Sequence, residues 1–302
     1  MKKVMCIGHA AYDITLPVDH YPIENTKMRI KPGVECGGGA AANAAYLLSK
    51  WHMETHFVGV IGNDLYGNRI KEEFRQVKTN MDYLEVSNTF DTTTSYILAN
   101  ASNGSRTIIV SRNKNEEVKC QSITIHPDVV LVDGEEPTIS KKVLLENPTC
   151  ISVLDAGNLK DSIVELCNYV KYLVCSKDFA EEYTKVKIEV KDPQTLLAAY
   201  QKLKNDFHNT IVITLGEAGS YTEIESKMTI IPTLKVTNPV DSTAAGDIFH
   251  GAFTYFISND YSLYRSIRLA NIAGAISVTK LGGKNSMPSL KEVLELEHSY
   301  DI

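Results

Sequence analysis

The sequence has no apolar stretch that approaches the length of a transmembrane helix, and it has no run of basic residues longer than two. The first absence argues against a membrane span. The second absence, together with a formal net charge of −6, argues against a main role in nucleic-acid binding, which needs clustered Lys and Arg. The apolar run after Met1-Lys2-Lys3 ends at Gly8, which is too short for a signal peptide. We therefore expect a soluble, cytoplasmic protein.

Several short motifs are also missing. None of the six cysteines forms a Cys-x-x-Cys pair, so we expect buried, reduced thiols. The sequence has no Gly-x-x-x-x-Gly-Lys-Ser/Thr phosphate loop. No Gly-x-Gly-x-x-Gly fingerprint follows the first apolar run, which disfavours an NAD-dependent oxidoreductase. His52 and His56 are four residues apart but lack an evident third ligand, so we do not predict a zinc site.

Hydrophobic residues make up 43% of the 302 residues, which is ample for a large core. Short runs rich in Val and Ile alternate with segments of helical periodicity. This alternation predicts an α/β fold with a mostly parallel sheet that is covered on both faces. The predicted strands are 4–7, 57–61, 129–133, 151–155, 172–175 and 211–215, and the predicted helices include 40–51, 68–77, 139–146 and 194–203.

Two segments break the βα alternation. Residues 93–99 and 106–111 are strand-like and flank Asn103-Gly104, which predicts a hairpin. Residues 14–35 contain three prolines and also look extended. These segments predict either a small sheet that acts as a lid or a pair of surface hairpins without function. The simplest organisation is one domain over residues 1–302, with a lid inserted from approximately 14–35 and 92–111.

The most informative segment is 241–253, which reads Asp-Ser-Thr-Ala-Ala-Gly-Asp-Ile-Phe-His-Gly-Ala-Phe. Small residues precede Asp247, and an apolar helical pattern follows it. Free backbone amides at a helix N-terminus, without bulky side chains, make an anion site. A carboxylate next to that site can accept the proton of an attacking hydroxyl, which is what phosphoryl transfer requires of a base.

This segment resembles the C-terminal signature of the ribokinase-like, or PfkB, family of carbohydrate kinases. The resemblance implies that Asp247 is the catalytic base and that the amides of Ala244, Ala245 and Gly246 form an anion hole for the γ-phosphate. The family's commonest motif has Gly where Ala244 stands. The resemblance also implies the family's fold, which is a Rossmann-type three-layer α/β/α arrangement with a small β-sheet lid.

The N-terminal half carries matching motifs in the expected order. The segment 37–43, Gly-Gly-Gly-Ala-Ala-Ala-Asn, resembles the family's glycine pair and sugar-binding Asn. Glycines allow a ligand to approach the backbone, and an Asn amide offers both a donor and an acceptor to a hydroxyl. By resemblance, the substrate-binding residues are Asp13, Gly38, Gly39, Asn43 and, from the second lid hairpin, Arg106.

The nucleotide site is implied in the second half of the chain, where residues 214–219 match the family's adenine-nucleotide loop. Segment 282–288 resembles its loop around a monovalent cation. In place of the family's magnesium-organising Asn-x-x-Glu, this chain has Ser176 and Phe179, so metal placement departs from the family pattern. The implied nucleotide-binding residues are Ser176, Thr214, Gly216, Gly219 and Asn271, and the implied cation ligands are Asp241, Thr243, Gly282 and Ser286.

The resemblance thus implies an enzyme that uses ATP and Mg²⁺, with K⁺ as a candidate activator, to phosphorylate a hydroxyl of a small sugar. Family members often pair through the lid, which implies a homodimer. Lys27 and Arg29 in the predicted lid are either anion-binding residues for a phosphorylated or sulfonated sugar or part of a solvated edge. A nucleoside or vitamin-B6-type kinase and a non-catalytic sugar- or nucleotide-binding regulator remain alternatives.

Overall fold

The computed structural model describes residues 2–112, 117–119 and 123–299, and most of its strands belong to one nine-stranded sheet. In spatial order, the sheet runs β13-β12-β11-β10-β9-β8-β1-β4-β5. Neighbours from β11 to β5 are parallel, and β12 and β13 add an antiparallel hairpin. The strands are β1 Lys3–Ile7, β4 Glu54–Gly62, β5 Asn80–Ser87, β8 Val129–Val132, β9 Ile151–Ala156, β10 Tyr172–Ser176, β11 Thr210–Thr214, β12 Ser220–Ile224 and β13 Lys227–Ile231.

Helices cover both faces of this sheet. Successive residues of β1 face opposite layers, because side chains alternate along a strand. Met5 and Ile7 pack in one cluster of buried residues, and Val4 and Cys6 pack in another. The expected three-layer α/β fold is therefore confirmed. The helices are α1 Ala40–Lys50, α2 Leu65–Val77, α3 Pro137–Glu146, α4 Asp161–Leu166, α5 Lys177–Thr184, α6 Pro193–Asp206, α7 Ala245–Ser258, α8 Leu263–Ser277, α9 Gly283–Ser286 and α10 Leu290–Ser299.

A separate four-stranded sheet has the order β3-β2-β6-β7, with strands β2 Ala11–Val18, β3 Val34–Gly38, β6 Thr94–Asn100 and β7 Arg106–Ser111. We call this the small sheet. The predicted hairpin around Asn103-Gly104 is present as β6 and β7. The extended stretch expected over 14–35 is different in detail, because residues 19–33 have no regular structure between β2 and β3.

The two sheets meet where β2 and β3 join the first helix. Gly39 caps α1 with a φ of 94°, and an added Cβ there would lie 2.5 Å from the carbonyl oxygen of His9. Such a backbone turn strongly favours glycine. The Ala-rich face of α1 is buried, so the helix packs closely against its neighbours and carries its first turn to the edge of the main sheet.

Elements with weak periodicity were not predicted from the sequence. Strand β5 is half-buried at the sheet edge and mixes polar and apolar side chains, and α4 is only six residues long. Within the described residues, no helix is long and apolar enough to cross a membrane.

Candidate active site

The first turn of α7 carries the residues that the sequence predicts to act on the phosphate. Ala244 caps the helix in the left-handed region, with φ of 60°, and Ala245, Gly246 and Asp247 form the first turn. The leading amides of a helix have no carbonyl one turn back. Ala245 N makes only a long bond, 3.3 Å, to the carbonyl of Ser242. A Cβ added at Gly246 would meet no heavy atom within 4 Å, so the turn has open space beside Gly246.

Asn43 connects the N-terminal half of the site to Asp247. Its Nδ2 donates to Oδ2 of Asp247 over 2.7 Å, although the two residues are 204 positions apart in the chain. Asn43 is 1% exposed, and its Oδ1 has no hydrogen-bond partner. A buried acceptor without a partner is costly unless a ligand donates to it. The site therefore offers an acceptor next to the carboxylate that we expect to act as base.

Asp13, on β2, is buried beside the glycines of β3. Its carboxylate accepts a hydrogen bond from the side chain of Ser95 on β6. A Cβ on Gly38 would lie 2.1 Å from its Oδ2, so only glycine fits opposite it. Burial is the main cause that raises the pKa of Asp13 to about 7, and the nearby charge of Asp247 raises it further. The structure thus brings Asp13, Gly38, Asn43 and Asp247 into one site.

Arg106 lies at the start of β7, on the small sheet. Its Nη1 donates to Oγ of Ser242 over 2.7 Å, and Ser242 N donates to the carbonyl of Gly104 over 3.1 Å. We expected Arg106 to bind substrate. The structure places its guanidinium against the segment that leads into α7, so the small sheet contacts that segment directly.

Asp241 organises the loops on the other side of the α7 turn. Its Oδ1 accepts hydrogen bonds from N and Oγ1 of Thr243, and its Oδ2 accepts one from Gly282 N over 2.9 Å. Ser286 is buried, and its Oγ donates to the carbonyl of Gly283 over 2.6 Å. Hydrogen bonds therefore link all four expected cation ligands, which lie in the segment 241–243 and at α9, and they offer oxygen atoms.

Apart from Asn271, the residues expected to bind the nucleotide lie at the end of β11, in the turn after it, and at the start of α5. Gly216, with φ of 60°, faces open space, and Gly219, with φ of 97°, would clash through a Cβ with the backbone of β13. Thr214 ends β11. Ser176 caps α5: its Oγ accepts from Phe179 N and donates to the carbonyl of Gly157.

Asn271, which the family resemblance places beside the adenine, is held by two hydrogen bonds within the protein. Its Oδ1 accepts from Oγ of Ser220, and its Nδ2 donates to the carbonyl of Ile231 over 2.9 Å. Its side chain is buried, so the amide holds the β12–β13 hairpin on α8. Its contribution to a nucleotide site would be indirect.

Two charged clusters near the site were not predicted from the sequence. In the first, Lys284 Nζ bonds to Oε2 of Glu73 over 2.6 Å, and both Glu73 oxygens accept from Gly37 N. The second contains Asp133, Asp155 and His250. Lys284 and Glu73 are 211 residues apart, so no local pattern links them.

Asp133 follows β8 and accepts hydrogen bonds from three backbone amides near the site. Its Oδ2 accepts from His9 N and Ala41 N, and its Oδ1 accepts from Glu135 N. Burial raises the pKa of Asp133 to about 6, while the hydrogen bond from His9 N opposes that rise. Asp133 therefore ties the turn after β1 to the first turn of α1.

Comparison with known proteins agrees with this arrangement. The family model described as pfkB family carbohydrate kinase matches residues 1–290. The chain is 27% identical to a ribokinase of Staphylococcus aureus, over 96% of this chain and 98% of that protein. A putative ribokinase from Agrobacterium tumefaciens superposes with a TM-score of 0.86 and 25% identity, covering 99% of this chain and 98% of that one. Arabidopsis thaliana ribokinase, solved with ribose and ATP, gives 0.82 at 24% identity, covering 98% of both chains.

Proposed function

Because the chain belongs to the pfkB family of carbohydrate kinases and phosphorylates a sugar hydroxyl with ATP, we propose that its acceptor is a neutral monosaccharide of the ribose class. The expected family and activity are confirmed by these similarities. The proposal concerns the substrate, the roles of individual residues and the cations. Ribose is named by the relatives and is the first sugar to test.

The observation that supports a neutral sugar is that Asn43 and Asp13 offer acceptors, and that the buried cation acting on Asp13 is already paired. Asn43 Oδ1 is an acceptor without a partner, and the Asp13 carboxylate lies beside it in the same site. The cation that acts on the pKa of Asp13 is Lys284, which is already bonded to Glu73. Lys27 and Arg29 are exposed in the irregular segment 19–33. A phosphorylated or sulfonated sugar would need an unpaired cation to offset its charge.

Asp247 is suited to act as the general base. It is the third residue of α7, directly after Gly246, and Asn43 fixes the orientation of its carboxylate. In the proposed step, Asp247 removes the proton from a sugar hydroxyl while that oxygen bonds to the γ-phosphorus of ATP. The bond from phosphorus to the bridging oxygen breaks, and ADP leaves. The amides of Ala244, Ala245 and Gly246 stabilise the charge on the transferring phosphoryl group.

The two proposed cations, Mg²⁺ and K⁺, would have different ligands. Among the described residues, no group of three or more His, Cys, Asp and Glu side chains is placed to hold a metal ion. Mg²⁺ would therefore be bound mainly by the ATP phosphates and water, as this ion commonly is. K⁺ suits the carbonyl and hydroxyl oxygens around Asp241, Thr243, Gly282 and Ser286, because oxygen rings replace its hydration shell. When bound there, K⁺ would supply positive charge beside the anion hole.

The small sheet is the proposed dimer contact. Every residue of β7 is exposed, and Ile109 and Val110 are more than half exposed, at 57% and 53%. An exposed apolar edge strand is normally covered by another chain. Analytical ultracentrifugation should show a dimer that Ile109→Lys dissociates. The control, Leu145→Lys on α3, replaces an equally exposed apolar residue away from this sheet and should leave the dimer intact.

The substrate is tested by measuring ADP release with Mg-ATP and K⁺ across ribose, other pentoses, hexoses, sugar phosphates, sulfonated sugars, nucleosides and pyridoxal. Ribose or a close neutral relative should give the highest kcat/KM. Asp247→Asn should lower kcat by at least about 10²-fold with little change in ATP affinity. Asp161→Asn, an exposed acid in the first turn of α4, is the matched control and should be fully active.

Other outcomes of this screen have definite meanings. A preference for sugar phosphates or sulfonated sugars would contradict the neutral-pocket argument and direct attention to Lys27 and Arg29. A preference for nucleosides or pyridoxal would instead support a nucleoside or vitamin-B6-type kinase of the same fold. Binding of sugar or ATP without turnover on any acceptor would favour the alternative of a non-catalytic sugar- or nucleotide-binding regulator.

A further inference from the structure

A buried histidine lies directly behind the proposed anion hole. His250 is on α7, one helical turn after Gly246, and it is 4% exposed. Its Nδ1 is 2.6 Å from the carbonyl oxygen of Gly246 and 3.2 Å from Oδ2 of Asp155. Its Nε2 is 3.1 Å from the carbonyl oxygen of Val174. The ring therefore bridges α7 to two adjacent strands of the main sheet, β9 and β10.

Both ring nitrogens face hydrogen-bond acceptors. A neutral imidazole has one N–H donor, and its other nitrogen would then face a carbonyl or carboxylate oxygen without a proton between them. The doubly protonated ring satisfies every contact, and its positive charge is compensated by Asp155. A protonated Asp155 would still leave Nδ1 opposed to the Gly246 carbonyl. The geometry thus favours an ion pair.

Asp155 has no other role in the described site. It ends β9, lies opposite Val174 in the strand register and is 6% exposed. Burial raises the pKa of Asp155 to about 7, the charge of His250 opposes that rise, and the charges of Asp247 and Asp133 add to it. Since the charge of Asp247 acts on Asp155, an unpaired negative charge at Asp155 would also act on a phosphate bound beside Asp247.

We propose that His250 and Asp155 form a buried imidazolium–carboxylate pair that positions the first turn of α7 and keeps the wall behind the anion hole electrically neutral. Both are positioning residues, since neither is assigned a contact with substrate. The inference rests on the anion hole assigned above. It explains why a titratable ring occupies a fully packed helix position at which a hydrophobic residue would otherwise be expected.

The test compares kcat with KM in two single variants and the double variant. His250→Gln leaves Asp155 unpaired, and kcat should fall at least about tenfold while the sugar KM changes by less than about twofold. Asp155→Asn should lower kcat less, because no unpaired carboxylate remains near the phosphate. His250→Gln combined with Asp155→Asn should recover several-fold of the kcat lost in His250→Gln.

Thr254→Val is the matched control. It removes a buried hydroxyl one turn further along α7, where Thr254 Oγ1 donates to the His250 carbonyl over 2.8 Å. Its kcat should remain within about twofold of wild type, and its melting temperature shows the effect of a purely structural loss. A folded His250→Gln with wild-type kcat would overturn the proposal. So would a double variant whose kcat loss equals the product of the two single losses.

A second measurement does not depend on a variant that folds or on the substrate. In the wild-type chain with ¹⁵N-labelled histidine, both ring nitrogens of His250 should show the chemical shifts of protonated nitrogens at neutral pH. An unprotonated nitrogen in this ring would refute the ion pair even if the proposed sugar is correct. Conversely, two protonated nitrogens in a chain that ignores every neutral sugar would overturn the substrate assignment alone.

Discussion

Removal of the Lys284 ammonium is the perturbation whose magnitude the structure defines best. The side chain of Lys284 is 4% exposed, lies over the rings of Tyr46 and Phe74, and is paired with Glu73 over 2.6 Å. In Lys284→Met the carboxylate of Glu73 loses its partner in a mostly buried site. Leaving one charge of a buried pair costs about 3–5 kcal/mol, and the 21% exposure of Glu73 places this case near 3 kcal/mol.

That loss can be expressed as a melting temperature. The unfolding entropy of about 2.1 cal mol⁻¹ K⁻¹ per residue amounts to about 0.6 kcal mol⁻¹ K⁻¹ over 302 residues, so 3 kcal/mol lowers Tm by about 5 °C. Differential scanning fluorimetry should show this shift for Lys284→Met. Adding Glu73→Gln should recover about half of it, because the amide still accepts from Gly37 N and no charge is left unpaired.

The matched control is Lys291→Met on α10. Lys291 is 3.6 Å from Glu295, but the two side chains are 81% and 64% exposed. An exposed pair contributes at most about 1 kcal/mol, so Tm should change by less than about 2 °C. If Lys284→Met shifts Tm no more than Lys291→Met, the reasoning about burial at Lys284 is wrong.

Three further predictions concern the walls of the pocket. Gly38→Ala should raise the sugar KM at least about tenfold, because the new Cβ would displace the Asp13 carboxylate. The control, Gly157→Ala, should leave KM unchanged, because the atom nearest to its new Cβ would be 3.8 Å away. The folded-state pKa of Asp13 is raised, so ionisation of Asp13 costs stability as pH rises from about 4 towards 7. Asp13→Asn should therefore have a higher Tm than wild type at pH 8, and this gain should shrink as the pH falls and vanish near pH 4. Asp64→Ala should lose about 2 kcal/mol, measured by urea denaturation, because Asp64 accepts from Gly67 N and Thr92 N; an unchanged midpoint would contradict its role.

The parts of the fold that are set by local pattern could be predicted from the sequence. The apolar runs that became β1, β8, β9, β10 and β11 are buried on both faces, so their hydrophobicity is nearly continuous. Strand β5 escaped detection because it is a half-buried edge strand with an irregular register against β4. Its conformation depends on its neighbour more than on its own residues.

The candidate site also contains residues that could be predicted from the sequence and contacts that could not. Asp247, Asn43 and Asp13 lie in short motifs, and the structure brings them together. The contacts of Asn271 and Arg106 could not be predicted from the sequence, because each makes a hydrogen bond to a residue far along the chain. The pairs Lys284–Glu73 and His250–Asp155 were missed for the same reason, since an ion pair between distant segments leaves no periodic signal.

The bond between Asn43 and Asp247 has a consequence for how this enzyme could change. One amide orients the base through Nδ2 and, in the proposed function, selects the acceptor through Oδ1. A replacement at position 43 that adapts the pocket to another sugar would also release the base, so selectivity and turnover cannot be altered separately there. Strands β2 and β6 contribute Asp13 and Ser95 to the same pocket, and among the described residues neither strand donates a hydrogen bond to Asp247. New acceptor preferences would therefore arise with least loss of rate through the small sheet.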